Sequence, residues 1–429
     1  MNERRALFAL LTLWMAVTTT LTVTPAVAAA GAATPGLVPA WFPKAPPLPE
    51  PAGQVIRVST VEELFRAAED VQPGGTILVA DGHYLMSRYF ELHTDRVTLR
   101  GESGDREKVV LDGARSRHHE LVGITACSGV TVADLTIQNI PCNGLKLNSD
   151  RGVQKVTVYN CVIHNIWQRG IKGVRVPRDN AVVRPPADCR VQYCLFYNDR
   201  PKQYSDDGAD TPQNFGGNYI GGMDIMYAVR WTISDNVFVG IHGRTGAARG
   251  AIFLWHDTED CLIERNLIID CDSGICLGNS YRGPETETHC RRCLVRDNFL
   301  TRCSENGILA DYTRECKIVH NTIHDPESRL KRLIRLVHDN DGLLVANNLL
   351  SGPPMRIETD SPMQIRGNVT RDPTFADALV DAARGDLHLK AAVTGVVDAA
   401  EPLPEAKTDI DRQPRDATPD VGADEFVPR

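Results

Sequence analysis

The chain has 429 residues, 42% hydrophobic, 24% charged and 6% aromatic, with a formal net charge of −8. These proportions describe a folded protein and exclude disorder, collagen and a small disulfide knot. Acidic residues outnumber basic ones by 55 to 47, which disfavours nucleic acid as a partner because phosphate binding depends on clustered Lys and Arg. Residues 1–30 read as a signal peptide: Arg4 and Arg5 precede an apolar stretch over 6–23, and Pro25-Ala26-Val27-Ala28 supplies small residues for cleavage. No later stretch reaches the roughly 18 apolar residues of a membrane span, so the expectation is a secreted, periplasmic or cell-surface protein that is not integral to the membrane.

A Pro/Ala-rich linker (31–54) leads into 55–84. There Ser59 or Thr60 caps a helix with acidic residues in its first turn and Leu64, Ala67 and Ala68 on one face, ending before Pro73-Gly74-Gly75; 76–84 then alternates as a strand into a turn. From there a phrase recurs in which apolar residues alternate up to an anchor and continue beyond it. The anchors are Asp134, Asn160, Tyr193, Asn236, Asn266, Asn298, Asn321, Asn348 and Asn368. Most are followed by a glycine and a short alternating strand, as in Gly144-Leu-Lys-Leu, Gly170-Ile-Lys-Gly, Gly222-Met-Asp-Ile and Gly274-Ile-Cys-Leu. Units this short cannot bury a core alone, so they stack into a coiling parallel sheet, with asparagines bonding to one another at one corner. A β-sandwich or propeller would not keep asparagine in phase with a following glycine-led strand.

At these residues the sequence resembles the secreted right-handed parallel β-helix proteins that include pectate lyases, chondroitinase B and alginate lyases. The stretch 58–84 is similar to their N-terminal cap. Asp409-Ile-Asp-Arg-Gln-Pro-Arg with Pro419-Asp-Val-Gly-Ala-Asp-Glu-Phe426 is similar to the tail of chondroitinase B-like members. The resemblance implies an all-β, single-stranded right-handed solenoid: a capping helix within 55–84, the coil over 85–375 and an irregular cap over 376–429, expected as a monomer. Twelve cysteines in an exported chain suggest disulfides, but seven recur at fixed offsets from the anchors and are expected as stacked, mostly interior thiols.

In each glycine-led strand the apolar residues point inward, so the residue between them faces solvent. The outward column reads Lys146, Lys172, Asp224, Phe253, Cys276, Leu309 and Arg335, with Trp255 two residues beyond Phe253. The longest inserts, 198–221 and 237–249, precede the Asp224 and Phe253 strands and are expected to wall a groove. Such a groove suits an anionic polysaccharide. The resemblance implies β-elimination from a uronic acid, which needs a base and a cation to neutralise the carboxylate. Lys172 is the expected base and Lys146 the second choice. Arg244, His242 and His256 are candidates for neutralising the carboxylate or protonating the leaving oxygen, and Trp255, Phe253, His242 and Arg335 for holding substrate. Asp224 with Asp206, Asp207 and Asp210 offers oxygen ligands for Ca²⁺. Pro284–His289, with its Glu-x-Glu, is expected on another face. The family's Glu-x-Ile-x-x-Lys-Ser type of stretch is missing after that acidic pair. Rival functions are a non-catalytic carbohydrate-binding scaffold and a glycoside hydrolase of polygalacturonase type.

Overall fold

A computed structural model describes residues 36–176, 184–328, 330–372 and 374–428. The signal segment 1–30 lies outside them. Among the described residues the chain winds into three long parallel sheets, two of twelve strands and one of eleven, as a right-handed parallel β-helix. The first sheet runs from Val55–Val58 to Gln364–Arg366 and the second from Gly82–Leu85 to Val369–Arg371. The third carries the glycine-led strands, among them Asn143–Asn148, Arg169–Gly173, Gly221–Met226, Gly250–Trp255, Ser273–Leu277, Asn306–Arg314 and Ile334–Asp341. No described helix is long and apolar enough to cross a membrane.

The helix at the N-terminal end is Val61–Asp70, and Thr60 and Glu63 close a reciprocal capping box while Leu64 and Ala67 face the core. Val55–Val58 already pairs in parallel with Thr76–Val79, so the coil begins inside the segment expected to be only a cap. Pairing is in register from coil to coil, as in Thr157, Arg190, Thr232 and Leu262 of the first sheet. The glycines of the third sheet are dictated by this stacking. A side-chain carbon at Gly170 would lie 2.5 Å from the Gly222 carbonyl oxygen, and one at Gly222 would lie 2.5 Å from that of Ala251.

The asparagine ladder is present from Asn236 onward. Each Nδ2 donates to the Oδ1 of the next, through Asn266, Asn298, Asn321 and Asn348 to Asn368, at 2.8–3.0 Å. The same oxygens accept the preceding asparagines' backbone N–H, at 3.2 Å for Asn236 and 2.9 Å for Asn266. In the coils of the first three anchors the expected phase is one residue early. Asp134, Asn160 and Tyr193 occupy a left-handed corner with φ of 55°, 47° and 58°, the position held later by Asp235, Arg265 and Asp297. The ladder slot in those coils holds Leu135, Cys161 and Cys194, and Cys194 N–H donates to Asn236 Oδ1 at 2.9 Å. All twelve cysteines are free thiols and eleven are buried. Cys261, Cys293 and Cys316 each directly precede the register-matched Leu262, Leu294 and Lys317, so they stack as expected.

The tail after 375 turns back along the coil. Leu379, Leu387, Leu389, Val396, Ile410 and Val421 cover the outer side of the second sheet at Val162, Leu195, Val237, Leu267 and Phe299. Its two motif arginines reach corner carboxylates, Arg412 to Asp235 at 2.6 Å and Arg415 to Asp297 at 2.9 Å.

Asn298 sits mid-ladder, and its removal strands a buried amide N–H and several carbonyls. Asn298→Ala is expected to lower unfolding stability by about 3 kcal/mol, since each orphaned buried group costs about 1–3 kcal/mol. Asn368→Ala, at the partly exposed end, is expected to cost less than half as much in denaturant titration.

Candidate functional site

The third sheet presents the anticipated column in register: Lys146, Lys172, Asp224, Phe253, Cys276, Leu309 and Arg335 succeed one another coil by coil. Its centre is an ion cluster. Asp224 is 1% exposed and lies 2.6 Å from Arg169 Nε and 2.9 Å from Lys172 Nζ. Trp255 Nε1 donates to the same carboxylate at 2.9 Å. Burial would raise the Asp224 carboxyl, but Lys172 and Arg169 outweigh it and hold the group well below the usual carboxylate range. Arg169 is buried beneath Tyr219, with its guanidinium 3.9 Å from the ring centre. Its register partner Gly221 is required by the stacking instead, since a side-chain carbon there would lie 2.7 Å from the Gly250 carbonyl oxygen. The sequence reading missed Arg169, although it directly precedes the glycine of its strand. Lys172 is the less deeply buried cation of the pair, its side chain 10% exposed although its Nζ is itself buried. Lys146 is instead matched by Glu120 one coil earlier, at 2.9 Å.

Around the cluster the aromatic groups converge. Phe253 and Trp255 stack at 5.0 Å, and His256 lies on the other side of Trp255 at 3.9 Å. His256 Nδ1 is 2.7 Å from Thr286 Oγ1, so Pro284–His289 borders the groove and not another face. That segment is fixed there by Arg175 with Glu285 and by Arg314 with Glu287. Burial pushes the His256 imidazole below its ordinary value of 6.5, which keeps the ring neutral near pH 7.

Beyond Phe253 the groove deepens into a pocket of about 250 Å³ whose lining includes Arg249, Asn306, Asp311, Arg335 and His338. Asp311 Oδ1 is 2.7 Å from His338 Nδ1, and burial raises the Asp311 carboxyl. Neither residue was anticipated. Asp311 stands in the slot that Trp255 holds two coils earlier, so following that second outward column would have found it. Arg335, at the pocket edge, is paired with Glu358 at 2.5 Å.

Several expectations change. The insert's carboxylates do not join Asp224: Asp207 and Asp210 close on the fully buried ammonium of Lys202, at 3.0 and 2.9 Å, and Asp206 forms a two-pronged pair with Arg200. With an ammonium already between two of these carboxylates and two cations on Asp224, this donor set does not fit a calcium ion. Arg244 is exposed, stacks 4.6 Å over Tyr204 and donates to the Gly216 carbonyl, so it braces the insert. His242 lies 2.7 Å from Asp272 Oδ1 and 3.7 Å from Asp270. Asp272 also accepts from Gly243 and Ala248 N–H, so His242 belongs to the support of the second insert.

A family model described as a right handed beta helix region matches residues 173–350. The crystal structure of pectate lyase Pel9A superposes with a TM-score of 0.54 at 10% identity, over 88% of this chain and 97% of that one. An alginate lyase from Paenibacillus sp. str. FPU-7 gives 0.46 at 14% identity, over 75% of this chain and 100% of that one. The GH136 lacto-N-biosidase from Eubacterium ramulus gives 0.45 at 13% identity, over 74% and 68%. The likeness to Pel9A shows the shared fold. No curated protein matches the sequence.

Two predictions follow from these contacts. Asp224→Ala leaves Arg169 and Lys172 buried together without a counter-charge and is expected to cost about 3–5 kcal/mol of unfolding stability, the usual penalty for breaking a buried pair. The neighbouring carboxylates of Asp270 and Asp272 raise His242 to about 9 from 6.5. Its stabilising contribution is therefore complete below pH 6.5 and lost as pH rises through about 9. The difference in Tm between wild type and His242→Gln is expected to be largest below pH 6.5 and to vanish above pH 9.

Proposed function

We propose that this chain is an exported lyase that cleaves an anionic, uronic-acid-containing polysaccharide by β-elimination along the outer face of the third sheet. The observation that carries the reading is the charge of the cluster. Arg169 and Lys172 against Asp224 leave one net positive charge in a buried setting, with Lys172 just beneath the groove beside the stacked rings of Phe253 and Trp255. A substrate carboxylate drawn towards Lys172 completes that neutralisation.

The contacts redistribute the roles. An ammonium already paired with Asp224 at 2.9 Å is placed to bind a carboxylate. His256 suits the base: it is neutral near pH 7, stacked on Trp255 and positioned by Thr286. Lys172 neutralises the carboxylate so that the adjacent carbon-bound proton becomes acidic. His256 then accepts that proton as the bond to the leaving glycosidic oxygen breaks, a double bond forms and the departing oxygen takes a proton from solvent.

Purified protein is incubated with alginate, pectate and glycosaminoglycans, with and without Ca²⁺, while the absorbance of unsaturated uronate is followed. Elimination on one of them is expected, with His256→Gln lowering kcat by about 10²–10⁴-fold, the usual contribution of a general base. The acid limb of the pH–rate profile is expected below pH 6.5. Lys172→Met is expected to raise KM. New reducing ends without unsaturated product would establish a hydrolase. Retention on a polysaccharide column with no product on any substrate would establish a binding scaffold.

A further inference from the structure

We infer that His388, Asp411 and Asp424 form a binding site for a divalent transition-metal ion that fastens the returning tail. Among the described residues this is the one group of three metal-type side chains whose candidate ligand atoms all lie within 4.8 Å of one another. The three come from separate parts of the tail. His388 is on the short strand Asp386–Leu389, while Asp411 and Asp424 belong to the two halves of the Asp-Ile-Asp and Val-Gly-Ala-Asp motifs, which the groove does not use.

The histidine is built to serve as a ligand. It is 4% exposed, and its ring is seated edge-on against Trp41 at 4.5 Å and Phe299 at 5.0 Å. Nδ1 lies 2.6 Å from Asp386 Oδ1, and Nε2 points into the group and pairs with Asp411 Oδ2 at 3.1 Å. Burial lowers this imidazole, but Asp386 and Asp411 outweigh it and push it up to about 10, so an ion binds here by displacing the Nε2 proton. A carboxylate behind the far nitrogen is how proteins orient metal-binding histidines. Asp424 is likewise fixed, its Oδ2 accepting from Leu389 N–H at 2.8 Å. Asp411 is exposed, which gives an ion a route in and leaves a coordination position open to solvent.

The donor set selects the ion. One imidazole nitrogen and two carboxylates suit a borderline ion such as Zn²⁺, with bonds of about 2.0–2.2 Å, whereas Ca²⁺ prefers six to eight oxygens. Bonds of that length in a tetrahedron separate neighbouring ligand atoms by about 3.3 Å, close to the nitrogen–oxygen spacing observed here. Two carboxylates also match the ion's charge once it has displaced the Nε2 proton.

Full-length protein is stripped with EDTA and titrated with Zn²⁺. Uptake of one ion per chain and a rise of several degrees in Tm are expected. Asp411→Asn changes an exposed position, so it is expected to fold like the wild type and to lose both responses. Co²⁺ in place of Zn²⁺ is expected to give weak visible bands without the intense near-ultraviolet absorption of sulfur ligation. Sulfur absorption would move the ion to the cysteines and overturn the assignment. Absence of uptake by the wild type, or an unchanged response in Asp411→Asn, would overturn it as well.

Discussion

Every feature of this molecule depends on one constraint, the in-register stacking of successive coils about 4.8 Å apart. A residue in a given slot meets the same slot above and below, so its neighbours are set by coil number and not by nearness in sequence. Asparagine succeeds at the ladder corner because its amide both donates and accepts, and each copy satisfies the next. Glycine heads the strands of the third sheet because the following coil's carbonyl occupies the place of a side chain. The same rule makes one outward column a continuous sequence of charges and rings. Asp224 lies between the coil of Lys172 and the coil of Phe253 for no other reason.

This regularity is what made the fold legible. Alternation in the glycine-led strands identified the outward residues one by one, and the register reproduces that order from Lys146 to Arg335. The phase of the first three anchors misled because two adjacent slots favour the same chemistry. The left-handed corner tolerates Asp and Asn, and the ladder slot beside it demands Asn. Where cysteine or leucine fills the ladder, the polar residue that stands out is the corner one, as at Asp134 and Asn160.

The site was less legible than its scaffold. A column can be read from alternation, but the partners of its charges come from positions that do not alternate. Arg169 reaches Asp224 from a slot outside the column. Lys202, inside the acidic insert, answers Asp207 and Asp210 and so turns what reads as a ligand set into a self-contained loop brace. The Pro284–His289 segment comes to the groove through contacts such as those of Thr286 and His289 with His256, none of which recurs from coil to coil. Folding an insert back on its own charges leaves no periodic trace.

The tail alters how the whole solenoid holds together. Coils in a stack touch only their neighbours, so each could in principle fray from an end without consulting distant ones. Here the last fifty residues bind laterally to coils far apart in that order: Arg412 at Asp235 and Tyr193, Arg415 at Asp297, Glu405 at Lys317, and the Glu401 carbonyl at Asn347. Opening any one of those coils loosens a strap shared with the others. The strap thus converts a one-dimensional array into a unit whose middle and C-terminal coils melt together.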